Sequence, residues 1–300
     1  MGDAAISLDG ISKRYGRRDA LKGLTLKVPR GSFFALLGPN GAGKTTTLRL
    51  LMGLIRADAG TGEVLGIPLR QGFPPVGLKE RIGYVPELST LYERSTVAEL
   101  LSFCRRTNRR WDPQTVRRYL DLFHLPLRTT VRHMSLGMRT QLALTLAMGG
   151  NPELLILDEP TRGLDPLHRH QFLQALLADG METGRTTLLS SHDLHQIERL
   201  ADHVAILNEG RLVVSRPLDE LKEQEKRIRV SGTPKESDLA AVAGVRRVSR
   251  EGAGFLLHAS GDPGWLEDAV REVSGVTGVQ AVDQSLEEIF LSYVEGTAGA

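Results

Sequence analysis

The sequence predicts an α/β domain interrupted by a helical segment and followed by a small α+β tail. Three observations carry this. The apolar run Ser32–Leu37 feeds a glycine-rich turn at 38–43 and then a helical stretch, the strand–loop–helix opening of an α/β unit. Apolar strand runs return at Leu154–Leu157, Thr186–Leu189 and Val204–Leu207, with helical stretches between them. After about residue 225 the pattern changes to short strands and short helices.

In chain order, Ile6 and Leu8 alternate, as do Leu24, Leu26 and Val28, so residues 5–28 are predicted as strands. The helix after the glycine-rich turn is predicted from Lys44 to about Gly53. Gly62–Leu65 and Ile82–Val85 are short strands. Between about 90 and 150 the pattern is helical. Thr96 and Glu99 form a capping box that opens one helix. Asp112 and Pro113 start a second, with Val116, Leu120 and Phe123 on one face. Ser135 caps a third, which runs to Gly149 and Gly150. Further on, helices are predicted over about 168–181 and 193–201. Asn208-Glu209-Gly210 then turns the chain into Arg211–Val214. In the tail, Ile228–Val230, Phe255–His258 and Val279–Val282 are strand-like, with helices near 263–273 and 286–294, the last capped by Ser285 and Glu288.

A length of 300 residues suggests two domains, drawn here as 1–225, with the helical part at about 90–150, and 226–300. Apolar residues make up 41% and charged residues 25%, which excludes wholesale disorder. No apolar run approaches the roughly 18 residues a spanning helix needs. The single Cys104 excludes an internal disulfide and a Cys-rich zinc site. The N-terminus has no basic region followed by an apolar core, and Ile6 stands where myristoylation needs Ser or Thr. A cytoplasmic location is expected. The net charge of +2 gives no general pull toward nucleic acid.

Residues 38–46 read GPNGAGKTT, which fits G-x-x-x-x-G-K-[ST] with Gly38, Gly43, Lys44 and Thr45 in register. Glycines let backbone N–H groups converge on a phosphate, and the helix beyond adds its positive end. Lys44 can reach β/γ oxygens, and the Thr45 hydroxyl suits a Mg²⁺ shell. The loop points to a nucleoside triphosphate. Leu154–Glu159 reads LLILDE, a buried strand ending in two acids. Asp158 can hold a metal, and Glu159 can accept a proton from an attacking water; such a pair can also be an ordinary solvated strand end. His192 ends the strand run TTLLSS and can face a phosphate or pack as a helix-start histidine. His195 is three residues on, but nothing completes a zinc set.

The ordered motifs resemble those of the ATP-binding cassette (ABC) ATPases, the motor subunits of ABC transporters, over roughly residues 5–215. GPNGAGKTT matches Walker A, contributing Gly38, Pro39, Asn40, Gly41, Ala42, Gly43, Lys44, Thr45 and Thr46. LLILDEP matches Walker B. Tyr15 stands 23 residues before Gly38, where the family places an aromatic ring on adenine. Met134–Met138 occupies the signature position, with Ser135 and Gly137 matching the consensus. Gly163-Leu164-Asp165 matches the D-loop, and His192 the switch histidine. The resemblance implies a P-loop NTPase cassette with an N-terminal antiparallel β region, a helical subdomain and a small C-terminal α+β extension.

It also implies the function: hydrolysis of ATP with Mg²⁺ by two cassettes closed head to tail, a homodimer or heterodimer. Ser135, Gly137 and Asp165 of each cassette would serve the nucleotide of the other. Thr45, Asp158 and Glu87 would position Mg²⁺, Glu159 would polarise water, and His192 would orient it or sense the γ-phosphate. The partner would be a separately encoded permease at the inner face of the membrane, more an exporter than an importer, and nucleic acid is not expected. Two departures stand out. Leu136 and Met138 replace Gly and Gln in the signature, a version also seen among drug, polysaccharide and antibiotic export cassettes, and Glu87 replaces the Q-loop glutamine, as in some export cassettes. A soluble cassette of DNA repair or the ribosome, or a weakly hydrolysing regulatory one, are the alternatives. Against the first, Glu87 and Ser135 are only 48 residues apart, with no room for a long coiled coil. Arg105, Arg106, Arg109, Arg110, Arg117 and Arg118 could meet anionic headgroups or acidic permease loops, form a solvated face, or contact nucleic-acid phosphates, though no interleaved aromatics support the last. The tail, with eight basic and eleven acidic residues from 226 on, suits dimer support, regulation or a purely structural role.

Overall fold

The computed structural model describes residues 4–69, 76–88 and 91–295. Contacts divide the chain into two compact units, residues 1–192 with 207–212 and residues 193–206 with 213–300.

The first unit opens with two long strands, β1 (Ala4–Tyr15) and β2 (Arg18–Pro29), paired antiparallel with Leu8 opposite Leu26. Alternation of apolar residues puts Ile6, Leu8, Ile11, Leu24, Leu26 and Val28 in the core at 0–1% exposure. β3 (Phe33–Leu37) follows, buried along its whole length. After it come α1 (Lys44–Leu51), β4 (Ala59–Val64), β5 (Ile67–Pro68), α2 (Val76–Lys79) and β6 (Ile82–Val85). β4 pairs with β1, giving an antiparallel sheet in the order β2-β1-β4-β5. The helix predicted to Gly53 ends at Leu51, because Gly53 turns into the left-handed region at φ 63°.

The helical part contains α3 (Val97–Thr107), α4 (Pro113–Phe123) and α5 (Leu136–Gly149). The capping box of Thr96 and Glu99 forms with both hydrogen bonds, and Asp112 caps α4 through the Gln114 N–H. β7 (Leu154–Asp158), α6 (Pro166–Thr183) and β8 (Thr186–Ser191) complete this unit's central layer. β3, β8, β7 and β6 lie side by side in that order, all parallel. Strands buried on both faces read as unbroken apolar runs, which is why the sequence shows them clearly.

α7 (Leu194–Ile197) is a single turn where a helix over 193–201 is expected; the chain continues to Ala201 in turns. β9 (His203–Asn208) and β10 (Arg211–Pro217) carry the chain on to α8 (Leu218–Gln224). The tail then runs β11 (Glu225–Gly232), α9 (Glu236–Ala240), β12 (Val245–Glu251), β13 (Gly254–Ser260), α10 (Pro263–Arg271), β14 (Val276–Asp283) and α11 (Leu286–Glu295). This β-α-β-β-α-β path builds an antiparallel sheet in the order β12-β13-β11-β14. Ile228, Val230, Leu257, Leu239, Leu266 and Val270 form its own core, at 0–1% exposure.

Candidate active site

Residues 38–46 cross from the end of β3 into α1. Backbone bonds set the loop: Ala42 N donates to the Pro39 carbonyl at 3.1 Å, and Gly210 N to the Ala42 carbonyl at 3.0 Å. Gly43 sits at φ 110°, and a Cβ there would stand 2.8 Å from the Ala20 carbonyl oxygen. Glycine is needed for conformation and for space. No side chain caps α1, so the helix start keeps its N–H groups and positive dipole end for an anion. Asn40 and Gly41 are exposed, Pro39, Thr45 and Thr46 half-buried, Ala42 buried.

Lys44 is buried at 7% exposure. Its ammonium donates to the Gly38 carbonyl at 2.6 Å and lies 3.5 Å from Glu159 Oε1. Glu159 Oε2 in turn lies 2.6 Å from His192 Nδ1. The parallel register explains this convergence. Asp158 pairs with Ser190 across β7 and β8, so Glu159 and His192 emerge together near the carboxyl ends of neighbouring strands. Glu159 turns off β7 at φ 47°, an uncommon backbone for a residue with a side chain. Its N–H donates to Ser190, to the carbonyl at 3.1 Å and to Oγ at 3.0 Å, which holds the turn.

Asp158 is 2% exposed. Its Oδ1 accepts from Ser190 Oγ at 2.7 Å and from Thr45 Oγ1 at 3.4 Å. Burial pushes this carboxyl above its ordinary range, with the Ser190 and Thr45 hydrogen bonds pulling the other way. Thr45 and Asp158 thus bring two hard oxygen donors together. Mg²⁺ is held by one or two protein oxygens, substrate phosphates and water, so this donor set fits it. Glu87, expected beside them, has its carboxylate engaged in an ion pair with Arg162.

Tyr15 ends β1, 47% exposed, with the Lys13 ammonium 5.7 Å from its ring centre. Close by in the β1–β2 hairpin, Arg18 donates to the Gly41 carbonyl at 3.4 Å. A cavity of about 510 Å³ is lined here by Arg18, Lys22, Asn40, Gly41, Asn208 and Glu209.

A second group gathers around the start of α5. Ser135 caps that helix, accepting from Met138 N at 3.2 Å, and is exposed. Asp165 caps α6, accepting from Leu167 N and His168 N at 3.0 Å, and reaches His168 Nδ1 at 2.5 Å. A Cβ on Gly137 would meet the His168 ring at 3.1 Å, so the start of α5 packs directly on α6. Ser135, Gly137 and Asp165 therefore lie together where the start of α5 meets the start of α6, Ser135 and Asp165 exposed and Gly137 buried beneath them. Ser190, Arg162, His168 and Arg18 were not singled out from the sequence. The serine pair in TTLLSSHD and the arginine in TRGLD were the available signals.

The arginine-rich segment divides. Arg110 binds Glu153 at 2.9 Å, and Arg118 binds Asp179 at 3.0 Å as well as Glu182. Arg109 approaches Glu80 at 3.9 Å and Arg117 approaches Asp121 at 4.0 Å, both from exposed positions, and Arg105 and Arg106 are exposed as well.

Comparison with known proteins places this geometry. A profile of the ABC transporter family matches residues 21–162. The chain is 34% identical over 310 residues to a Nod factor export ATP-binding protein I of Rhizobium sp. (strain N33), covering 97% of each. It is 39% identical over 233 residues to a daunorubicin resistance ATP-binding protein of Streptomyces coeruleorubidus, covering 74% of this chain and 71% of that one. A solved structure of an ATP-binding subunit of an ABC transporter matches with TM-score 0.66 at 32% identity, over 73% of this chain and 92% of that one. The chain belongs to the ABC transporter family and is an ATP-binding, ATP-hydrolysing subunit of it.

Proposed function

We propose that this ATPase drives export through a separately encoded membrane permease, acting as one of two cassettes that close around ATP. The observation that carries its chemistry is the line Lys44–Glu159–His192 at the strand ends, its lysine and glutamate buried and its histidine open to solvent. Tyr15 offers its exposed ring to adenine, and residues 38–46 take the phosphates. Thr45 and Asp158 would hold Mg²⁺, which supplies charge neutralisation on the phosphate oxygens. Glu159 accepts the proton of the attacking water. His192, with Nδ1 engaged by Glu159, keeps Nε2 for the γ-phosphate or that water. Positioning and charge stabilisation carry most of phosphoryl transfer, so these groups suffice.

Ser135, Gly137 and Asp165 form the face offered to the nucleotide of the second cassette. An exposed helix start is an anion site, and loss of the γ-phosphate removes the bridge between cassettes. On this reading residues 1–225 make the cassette, and 226–300 an accessory domain for dimer support or regulation. Near Glu87, Leu88 and Tyr92 are 71% and 69% exposed, with Phe103 edge-on to Tyr92 at 6.4 Å. Exposed apolar side chains of this kind suit a permease loop. No helix of the described residues is long and apolar enough to cross a membrane, so the permease would supply the attachment. The names of the relatives, Nod factor export and daunorubicin resistance, support the outward direction.

Purification from native membranes in mild detergent tests this. A co-purifying polytopic protein that stimulates ATP hydrolysis is the expected result. A chain that leaves the membrane without any such partner would sink the transport reading.

A further inference from the structure

Glu87 and Arg162 are 75 residues apart in sequence, yet their side chains form an ion pair. Each lies on a loop of the site. Glu87 follows β6 and leads into the segment carrying Leu88 and Tyr92. Arg162 belongs to the turn that leaves β7: its N–H donates to the Glu159 carbonyl at 3.1 Å, and Leu164 N closes on Thr161 at 3.2 Å. Arg162 is therefore built onto the same turn as the proton acceptor.

Folding stability does not account for the pair. The Arg162 side chain is 62% exposed and that of Glu87 30%, and ion pairs this open contribute little. Local charge gives it a purpose. Through Arg162, Glu87 is held against the turn that carries Glu159, whose carboxylate faces Lys44 of the phosphate loop. Asp158 and Glu159 face Thr45 and Lys44 of the phosphate loop, and Glu87 adds a third carboxylate at the turn that carries Glu159. Lys44 faces Glu159, and Ser190 and Thr45 hydrogen-bond Asp158. Arg162 supplies the counter-charge to the third.

We propose that Arg162 is a positioning residue for Glu87: it neutralises that carboxylate so that ATP can bind beside it, and it ties the Glu87 loop to the turn that carries Glu159. A glutamine at position 87 would need no such counter-charge, so Arg162 matters only while residue 87 is a carboxylate. The inference rests on the proposed ATP site at residues 38–46 and on Glu87 lying at it, the place that the family resemblance implies.

A double-mutant cycle read by equilibrium ATP binding tests it. Binding is measured on the full chain in EDTA, where turnover does not intervene, and again with Mg²⁺. Arg162→Ala is expected to raise the ATP dissociation constant about tenfold, Arg162→Lys about threefold, by exposing the Glu87 charge to phosphate. In the Glu87→Gln background, Arg162→Ala should change it less than twofold. Thermal unfolding of each variant without nucleotide reports whether folding is intact. An equal loss of binding from Arg162→Ala in both backgrounds overturns the pairing. If Arg162→Ala and Glu87→Gln each leave ATP binding unchanged, the placement of Glu87 fails, and the proposal with it.

Discussion

Glu159 Oε2 lies 2.6 Å from His192 Nδ1, while its other oxygen faces the Lys44 ammonium at 3.5 Å. Burying a carboxylate is costly unless such partners face it. The contact also fixes the imidazole, since one ring nitrogen is committed and the other points away from Glu159. Two strand ends and the phosphate loop are joined by a single side chain.

If Glu159 is the proton acceptor, Glu159→Gln should slow turnover by about 10²–10⁴. ATP binding should survive, because binding precedes proton transfer. The variant should accumulate as an ATP-bound dimer on size-exclusion chromatography. Unchanged turnover would remove Glu159 from this role.

Lys44→Ala acts earlier in the cycle. The ammonium is the buried cation of the phosphate loop, held by the Gly38 carbonyl at 2.6 Å and by Glu159. Its loss leaves Glu159 without its cation next to incoming phosphate. The ATP dissociation constant should rise by at least about tenfold, a cost of roughly 1.4 kcal/mol. Calorimetric titration checks this, and an unaltered constant would contradict the assignment.

Most of this site is legible in the sequence because it lies on strand ends and helix starts. Buried parallel strands read as apolar runs, and the polar residues that end them stand out: Asp158 and Glu159 after LLIL, His192 after TTLLSS. Ser190 was not legible, since its importance depends on which residue lies opposite it in the neighbouring strand. Arg162 was hidden for the same reason: its partner is 75 residues away. In the tail, β12 reads VRRVSRE, with too few apolar residues to mark a strand, because it is an edge strand with exposed arginines. The five-residue α9 shows too little periodicity to be read. The arginine-rich segment reads as one run of basic charge, yet Arg110 and Arg118 are tied to Glu153, Asp179 and Glu182 from outside the segment.

Asp179 gives a prediction about stability. It sits in α6 with its carboxylate between Arg118 at 3.0 Å and Arg185 at 3.3 Å, and Arg185 is itself 8% exposed. Burial pushes the Asp179 carboxyl up and the Arg185 guanidinium down, so neither charge is fully compensated by its partner. Removing one partner leaves a buried charge alone. Asp179→Ala should therefore cost about 3–5 kcal/mol in denaturant unfolding. A loss below about 1 kcal/mol would mean that Arg185 swings into solvent.

Asp158 should separate stability from activity. Its carboxyl is raised above the ordinary value of 3.8, chiefly by burial, so the folded chain holds this proton more tightly than the unfolded chain. Between the unfolded pKa and the raised folded one, the native state binds more protons, and stability falls as pH rises. Above the folded value the cost of the buried charge is constant. Asp158→Asn removes that charge in a side chain of the same shape. Without nucleotide, the variant should be more stable at neutral pH by about 1 kcal/mol, the ordinary scale of single substitutions. That advantage should shrink as pH falls through the raised pKa and vanish below about 3.8, where both chains are uncharged at this position. Hydrolysis in Mg²⁺ should be lost at every pH, because an amide is a poor ligand for a hard cation. Urea unfolding at several pH values, paired with ATPase assays, reads both effects. A variant less stable than the parent at neutral pH would show that Thr45 and Ser190 hold the ionised carboxylate more strongly than burial opposes it.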